Sequence, residues 1–338
     1  MYVGLDVHKT YNQACVMDES GEIIKEQKFL NTKEELDQFL ETIPEDSVIG
    51  IEACSVWQAI YGEIESKGFD VRLAHPMDTQ LIAKSKVKTD KIDAQALAKL
   101  LRLDEFPEAY VPPEHMRKLR EIVRHRYALV KIRSHVKNMV HGILLKTGNQ
   151  LELTDIFGKT GMLTMRSTEF NIQPQYRFEL NHYLDLIDYI NQQIEETNAY
   201  IDVQAKQIPQ VEILKSVSGF GTYSALLLYA EIGEISRFNN HKQLCSYAGI
   251  TASVYQSGST TRYGHITKQG NKMIRWILMQ AVLKTARRPN GIQRFYKRML
   301  NKKGMKIAKV ASARKLLVYI YIMLTYNVRF DQLRVNSA

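Results

Sequence analysis

Residues 85–101 read SKVKTDKIDAQALAKLL and set two carboxylates, Asp90 and Asp93, three apart at the head of an apolar helix crowded by Lys84, Lys86, Lys88 and Lys91. Thr89 is a good N-cap, Asp90 falls in the first turn where the helix dipole favours negative charge, and Ala94 to Leu101 are good helix formers. Residues i and i+3 share a helix face, so the two carboxylates point the same way and repel unless a cation lies between them. A neighbouring lysine and a metal ion both meet that requirement, and the rest of the chain has to choose.

Upstream, the first hundred residues alternate strand and helix signals. YVGLDVH is a short β-run, NQACVMD and IIKEQKFL flank the turn ESGE as a hairpin, and TKEELDQFLETI is helical from a Thr cap. SVIGIEA is a strand, WQAIYGEIESKG a helix ending at Gly68, and DVRLAH a strand closed by Pro76. A hairpin followed by αβαβ units predicts a mixed sheet with helices packed on it. Asp6 and Glu52 then fall near the ends of two strands, where an open α/β sheet tends to keep its site.

Downstream of YVPPEH the pattern turns to long helices. Ile122, Leu129, Val136 and Ile143 are spaced by sevens, as are Leu180, Ile187, Ile194 and Ile201, with Tyr183 and Ile190 between them. This periodicity predicts coiled-coil helices, satisfied equally by an antiparallel hairpin and by a dimer seam. The first helix is basic, and its cations suit nucleic-acid contact. The final part opens with LKSVSGFGTYSALLLYAEIG, where Gly219 and Gly221 form a turn that would aim backbone N–H groups at a phosphate. A helix–helix turn explains that pattern as well. Lys272 and Arg275 follow on one face of a later helix, next to Trp276.

Charge is distributed unevenly. The 338 residues carry 46 Lys and Arg against 36 Asp and Glu, a formal net charge of +10. Ile235 to Phe330 holds 19 basic residues and no acidic one, which leaves 27 basic against 36 acidic elsewhere. Ordinary solvated surfaces mix both signs, so a polycationic stretch of this length points to nucleic-acid phosphate. A membrane partner is not expected: the longest apolar run, Leu316 to Leu324, is about half of the roughly 20 residues a spanning helix needs. Three cysteines without metal spacing, and a start that reads directly as structure, predict a soluble chain in a reducing cytoplasm.

Asp6, Glu52, Asp90 and Asp93 are four carboxylates that one sheet edge can gather, and four such anions do not cluster without cations. Hard oxygen ligands select Mg²⁺ or Mn²⁺, and the usual task of such a set is phosphoryl transfer at a phosphodiester. Each residue also has a plain structural role available, as a strand end, an ion pair or a helix cap.

YVGLDVHK, IGIEA, KTDKIDAQALA, SVSGFGTYSA, SYAGI, YQSGSTTRYGHITKQGNKMIRW and ARKLLVYIYIML together resemble the insertion-sequence one-ten family of DEDD transposases, the bridge-RNA-guided recombinases. The likeness runs in order along nearly the whole chain. It implies an α/β plus α architecture: an RNase H-like (RuvC-like) mixed-sheet domain at 1–110, a coiled-coil region at 111–208 and a basic, mainly helical transposase domain at 209–338. It implies that Asp6, Glu52, Asp90 and Asp93 form a catalytic Mg²⁺ site and that Ser257 is a nucleophile. It further implies donor and target DNA, a noncoding bridge RNA, and a homo-oligomer, dimer or tetramer, in the nucleoid of a prokaryotic cytoplasm. The departures sit in turns: Ser218 where the family usually has Pro, Thr251-Ala252 before the serine motif, and Cys54 to Trp57 after Glu52.

A serine hydroxyl that attacks a phosphodiester conserves the bond as a phosphoserine link and allows rejoining. Arg262, Lys268, Lys272 and Arg275 are the cations near it in sequence, while Ser253 and Ser259 are rival hydroxyls. The competing readings are a RuvC-type junction nuclease that uses the carboxylates with water, an actin-like kinase without its glycine-rich phosphate loops, and a non-catalytic nucleic-acid scaffold.

Overall fold

Strand β1 (Tyr2–Val7) sends Val3, Leu5 and Val7 into one face of a sheet and leaves Gly4 and Asp6 on the other. Such alternation is what a strand covered on both sides by helices requires. In the computed structural model, residues 1–75, 78–79, 89–258 and 260–333 are described; Lys84, Lys86, Lys88, Pro76 and Ser259 lie outside them. The chain divides into two units, Met1–Val111 and Pro112–Ala338.

In the first unit, β1, β2 (Tyr11–Met17) and β3 (Ile23–Leu30) form an antiparallel meander, and β4 (Val48–Glu52) and β5 (Asp70–Ala74) join parallel to β1. The result is a five-stranded mixed sheet of order β3-β2-β1-β4-β5. Helix α1 (Lys33–Leu40), capped by the Thr32 side chain, and α2 (Trp57–Ser66) bury Leu36, Phe39, Ile60 and Ile64 against Val3, Leu5, Ile49 and Ile51. Helix α3 (Asp90–Arg102) covers the opposite face, where Ala94 and Ala98 pack on Cys15 and Met17. Gly4 makes that approach possible. A Cβ there would lie 1.9 Å from the Ala94 carbonyl oxygen and 2.6 Å from the Ala98 nitrogen.

The second unit begins with α4 (Glu114–Lys146) and returns, past α5 (Lys159–Arg166), along α6 (Pro174–Ala205). Arg126 Nε donates to Asn198 Oδ1 at 3.1 Å and Arg133 Nη1 to Asn191 Oδ1 at 2.7 Å, so the two helices run antiparallel. Val136, Val140 and Ile143 meet Leu180, Leu184 and Ile187 along the seam. Of the two arrangements that the heptads allowed, the intrachain hairpin is the one formed.

At the other end of this pair, Met116, Leu119, Val123 and Ile201 enter the core of the C-terminal helices. These are α7 (Pro209–Lys215), α8 (Thr222–Ile232), α9 (His241–Tyr247), α10 (Lys272–Thr285) and α11 (Gly291–Tyr326), the last kinked at Gly304. Between α9 and α10 stands a two-stranded antiparallel ribbon, β6 (Ala252–Ser257) and β7 (Thr260–Ile266). No hydrophobic alternation in the sequence marks these two strands. Among the described residues, no helix is long and apolar enough to cross a membrane.

Candidate functional site

The carboxyl ends of β1 and β4 carry the first two acidic residues. Tyr2 pairs with Val48 and Leu5 with Ile51, so Asp6 and Glu52, the next residue of each strand, stand side by side on the face that α3 covers. Helix α3 enters that face N-terminus first. The Thr89 hydroxyl caps it by accepting from Ile92 N at 3.3 Å, and Asp90 and Asp93 occupy its opening turn. Because Gly4 and the alanines of α3 set the helix close to the strand, its first turn reaches Asp6.

Among the described residues, no lysine of the 85–101 stretch pairs with these acids. Lys91 turns away to Glu26, 3.3 Å distant. The group between Asp6 and Asp90 is the His8 imidazole, two residues after Asp6: its Nε2 lies 3.0 Å from Asp6 Oδ2 and 3.5 Å from Asp90 Oδ1. The Tyr11 hydroxyl donates to Asp90 Oδ2 at 2.8 Å. Asp6, His8 and Asp90 present one ligand atom each, all within 4.8 Å of one another.

The two aspartates feel opposite environments. Burial pushes the Asp6 carboxyl above its ordinary range, His8 opposes that, and the charges of Asp93 and Asp90 push it further up. The Tyr11 hydrogen bond, with help from His8 and Lys28, holds Asp90 below its ordinary range. Nothing in the sequence marks Tyr11 as a partner, since its contact with Asp90 joins residues 79 apart.

In the second unit, Ser257 is the last residue of β6, and Gly258 turns the ribbon with φ 56°. Such a left-handed angle suits glycine. Arg262 lies exposed on β7, Lys268 is exposed with φ 57°, and Lys272 is exposed at the start of α10. Arg275 is partly buried and makes structural contacts. Its Nη1 donates to Ala248 O at 2.7 Å and Gly270 O at 3.0 Å, so this guanidinium braces the loops flanking the ribbon. Gly219 (φ 106°) lets the turn before α8 press on α10, while Gly221 is the N-cap of α8.

A buried carboxylate that the sequence reading did not single out lies beneath these loops. Glu231 is fully buried; Arg124 donates to its Oε1 and Oε2 at 2.7 and 2.9 Å, and Asn271 Nδ2 to Oε2 at 2.6 Å. Asn271 also caps α10 by accepting from Met273 and Ile274. The network therefore ties the ribbon's exit to α4 and α8. Its only sequence signal was position: Glu231 and Glu234 are the last acids before the acid-free stretch.

Comparison with known proteins follows the same two halves. Residues 3–148 match a DEDD-type family model described as transposase, and residues 211–297 match the model of the transposase IS116/IS110/IS902 family. The transposase for insertion sequence element IS1111A of Coxiella burnetii is 25% identical, over 96% of this chain and 89% of that one. The pilin gene-inverting protein of Moraxella bovis is 29% identical over 82% and 79%. The transposase for insertion sequence element IS1328 of Yersinia enterocolitica is 23% identical over 82% and 81%.

Proposed function

The chain belongs to the IS110 family of DEDD transposases, enzymes that act on DNA in transposition and recombination, and from that premise we propose that it recombines an insertion sequence by joining a carboxylate metal site to a serine nucleophile. The observation that supports this reading is the approach of Asp6, His8 and Asp90, whose ligand atoms lie within 4.8 Å of one another; Glu52 and Asp93 are not part of that group. Acids held this close repel, and the arrangement is stable when a cation shares them.

The donor set fits a divalent ion of the hard-oxygen class. Asp6, Glu52, Asp90 and Asp93 would hold Mg²⁺, or Mn²⁺, with His8 and Tyr11 fixing the orientation of Asp6 and Asp90 through their hydrogen bonds. Such an ion supplies charge stabilisation at a phosphodiester undergoing displacement. The fold of this unit is read as RNase H-like, from the strand order and the placement of the acids.

Ser257 is proposed to attack phosphorus through Oγ. The Oγ–P bond forms as the bond from phosphorus to a deoxyribose oxygen breaks; the seryl proton leaves and the departing oxygen takes one up. Attack by a sugar hydroxyl on the phosphoserine reverses the step and joins strands without an external energy source. Arg262, Lys268 and Lys272 neutralise phosphate along the strand, and the N–H groups at Gly219 and Gly221 add a backbone contact. On this reading residues 1–110 are the metal domain, 111–208 a coiled coil and 209–338 the serine domain. The enzyme works as a homo-oligomer in the prokaryotic cytoplasm, and a bridge RNA selects donor and target DNA by base pairing.

Trapping tests the serine. Wild type incubated with element-end DNA and Mg²⁺ gives a denaturant-stable protein–DNA adduct, and Ser257→Ala gives none. Cleavage by Ser257→Ala without an adduct would instead indicate a RuvC-type nuclease that uses water.

A further inference from the structure

The ribbon has two unlike faces. Register pairs Val254 with Tyr263 and Tyr255 with Arg262, and paired residues of an antiparallel ladder point to the same side. One face thus carries Val254, Tyr263, Gln256 and Thr261. The other carries Ser257 at the tip, Tyr255 two residues behind it, and Arg262 directly across from Tyr255. The rest of that second face is small. Gly264 lies against Ser253, whose Oγ would meet a Cβ at Gly264 at 2.4 Å. The Ser257 face is a low shelf with one aromatic ring and one guanidinium standing on it.

Tyr255 is 75% exposed, a large apolar ring in a two-stranded ribbon that is exposed from Val254 to its tip. Its environment says what covers it. The shelf bears Arg262, no acid occurs from Ile235 to Phe330, and Lys268 and Lys272 follow the ribbon directly. Aromatic rings interleaved with cations on an acid-free surface suit single-stranded nucleic acid, whose base faces are free to stack while its phosphates meet the cations. Paired bases in a duplex have both faces occupied, and residues that pry duplex steps apart are usually aliphatic or phenyl wedges.

We propose that Tyr255 is a positioning residue that stacks on one unpaired DNA base adjoining the scissile phosphate, with Arg262 on the neighbouring phosphate, so that the strand lies along the shelf toward the Ser257 hydroxyl. The assignment of Ser257 as nucleophile comes from the preceding section, and the stacking of Tyr255 is the new element. Its consequence is that the DNA is locally unpaired at the point of cleavage.

The test uses the full-length protein with the element's noncoding RNA and element-end oligonucleotides that carry 2-aminopurine at each position around the cleavage site. All variants are built on Ser257→Ala, so binding is read without chemistry. One probe position is expected to change fluorescence on binding; Tyr255→Ala abolishes that change and weakens binding roughly 10- to 100-fold, whereas Tyr255→Phe keeps both. Tyr263→Ala, on the opposite face, keeps the signal. The proposal is overturned if Tyr255→Ala leaves the fluorescence change intact, or if Tyr263→Ala removes it as fully. With Ser257 restored, Tyr255→Ala lowers the rate of adduct formation at saturating DNA. An adduct that forms with Ser257→Ala in place refutes the nucleophile and leaves the fluorescence result to judge Tyr255 separately.

Discussion

Gly4→Ala is the smallest change that ought to uncouple the fold of the first unit from its site. The added Cβ would sit 1.9 Å from the Ala94 carbonyl oxygen and 2.6 Å from the Ala98 nitrogen, both backbone atoms of α3 that no rotamer change can move aside. Carbon–oxygen contacts close at about 3.3 Å, so the helix must withdraw by roughly 1.4 Å at that turn. Overpacking of this kind costs about 1–3 kcal/mol, a drop of roughly 5–20 °C in melting temperature for a unit of this size. The larger loss is at the site. Asp90 and Asp93 ride on the helix and Asp6 on the strand, and Mg²⁺ tolerates little departure from its ordinary coordination distance of about 2.0–2.1 Å. Calorimetric titration of the folded variant with Mn²⁺ should show affinity lowered at least about tenfold, the scale of orientation losses at metal sites. Gly62→Ala in α2 is the control, since a Cβ there meets nothing within 4 Å and should leave melting unchanged or slightly raised. A Gly4→Ala protein with wild-type melting and wild-type Mn²⁺ affinity would refute the claim that close approach of α3 assembles the site.

Three further outcomes follow from the same contacts. Tyr11→Phe removes the bond that holds Asp90 low, so its carboxyl returns toward the ordinary range and Mn²⁺ affinity, followed by calorimetry, falls by about tenfold. Burial keeps the Asp6 proton tighter in the folded state than in the unfolded chain, so this charge costs stability above its raised pKa and the cost fades as pH falls through it. Metal-free Asp6→Asn should therefore melt above wild type at neutral pH and converge with it in acid; a constant difference would contradict the sign. Glu231→Ala leaves the half-exposed Arg124 and the Asn271 amide without their buried acceptor, and urea unfolding should show a loss of about 1–3 kcal/mol.

Much of the first unit was legible because its signals are local. Thr32 and Thr89 are caps that act within three residues, and the alternation in YVGLDVH is the burial pattern of β1. The acids were legible as strand-end and helix-start residues. What sequence could not supply were contacts made across the sheet: His8 and Tyr11 reach Asp90 only because the β1–β2 hairpin folds them beneath the start of α3. The heptads could not choose between partners, because an a/d stripe looks the same to a partner in the same chain and to one in another. The ribbon was missed because Val254, Tyr255 and Tyr263 are split between the two faces of otherwise polar strands, so no hydrophobic period marks it. The charge of Arg275 is visible in sequence, whereas the carbonyls of Ala248 and Gly270 that its Nη1 meets are not.

The central claim joins the acids of the first unit to the serine of the second, and a recombination assay in cells tests it most directly. Donor and target plasmids are supplied with the element's flanking noncoding DNA, and wild type is compared with Asp90→Asn and Ser257→Ala, each verified as folded by its melting curve. The account predicts joined product from wild type and none from either variant. Joined product from Ser257→Ala would contradict the nucleophile, and joined product from Asp90→Asn would reduce the acidic cluster to a structural feature.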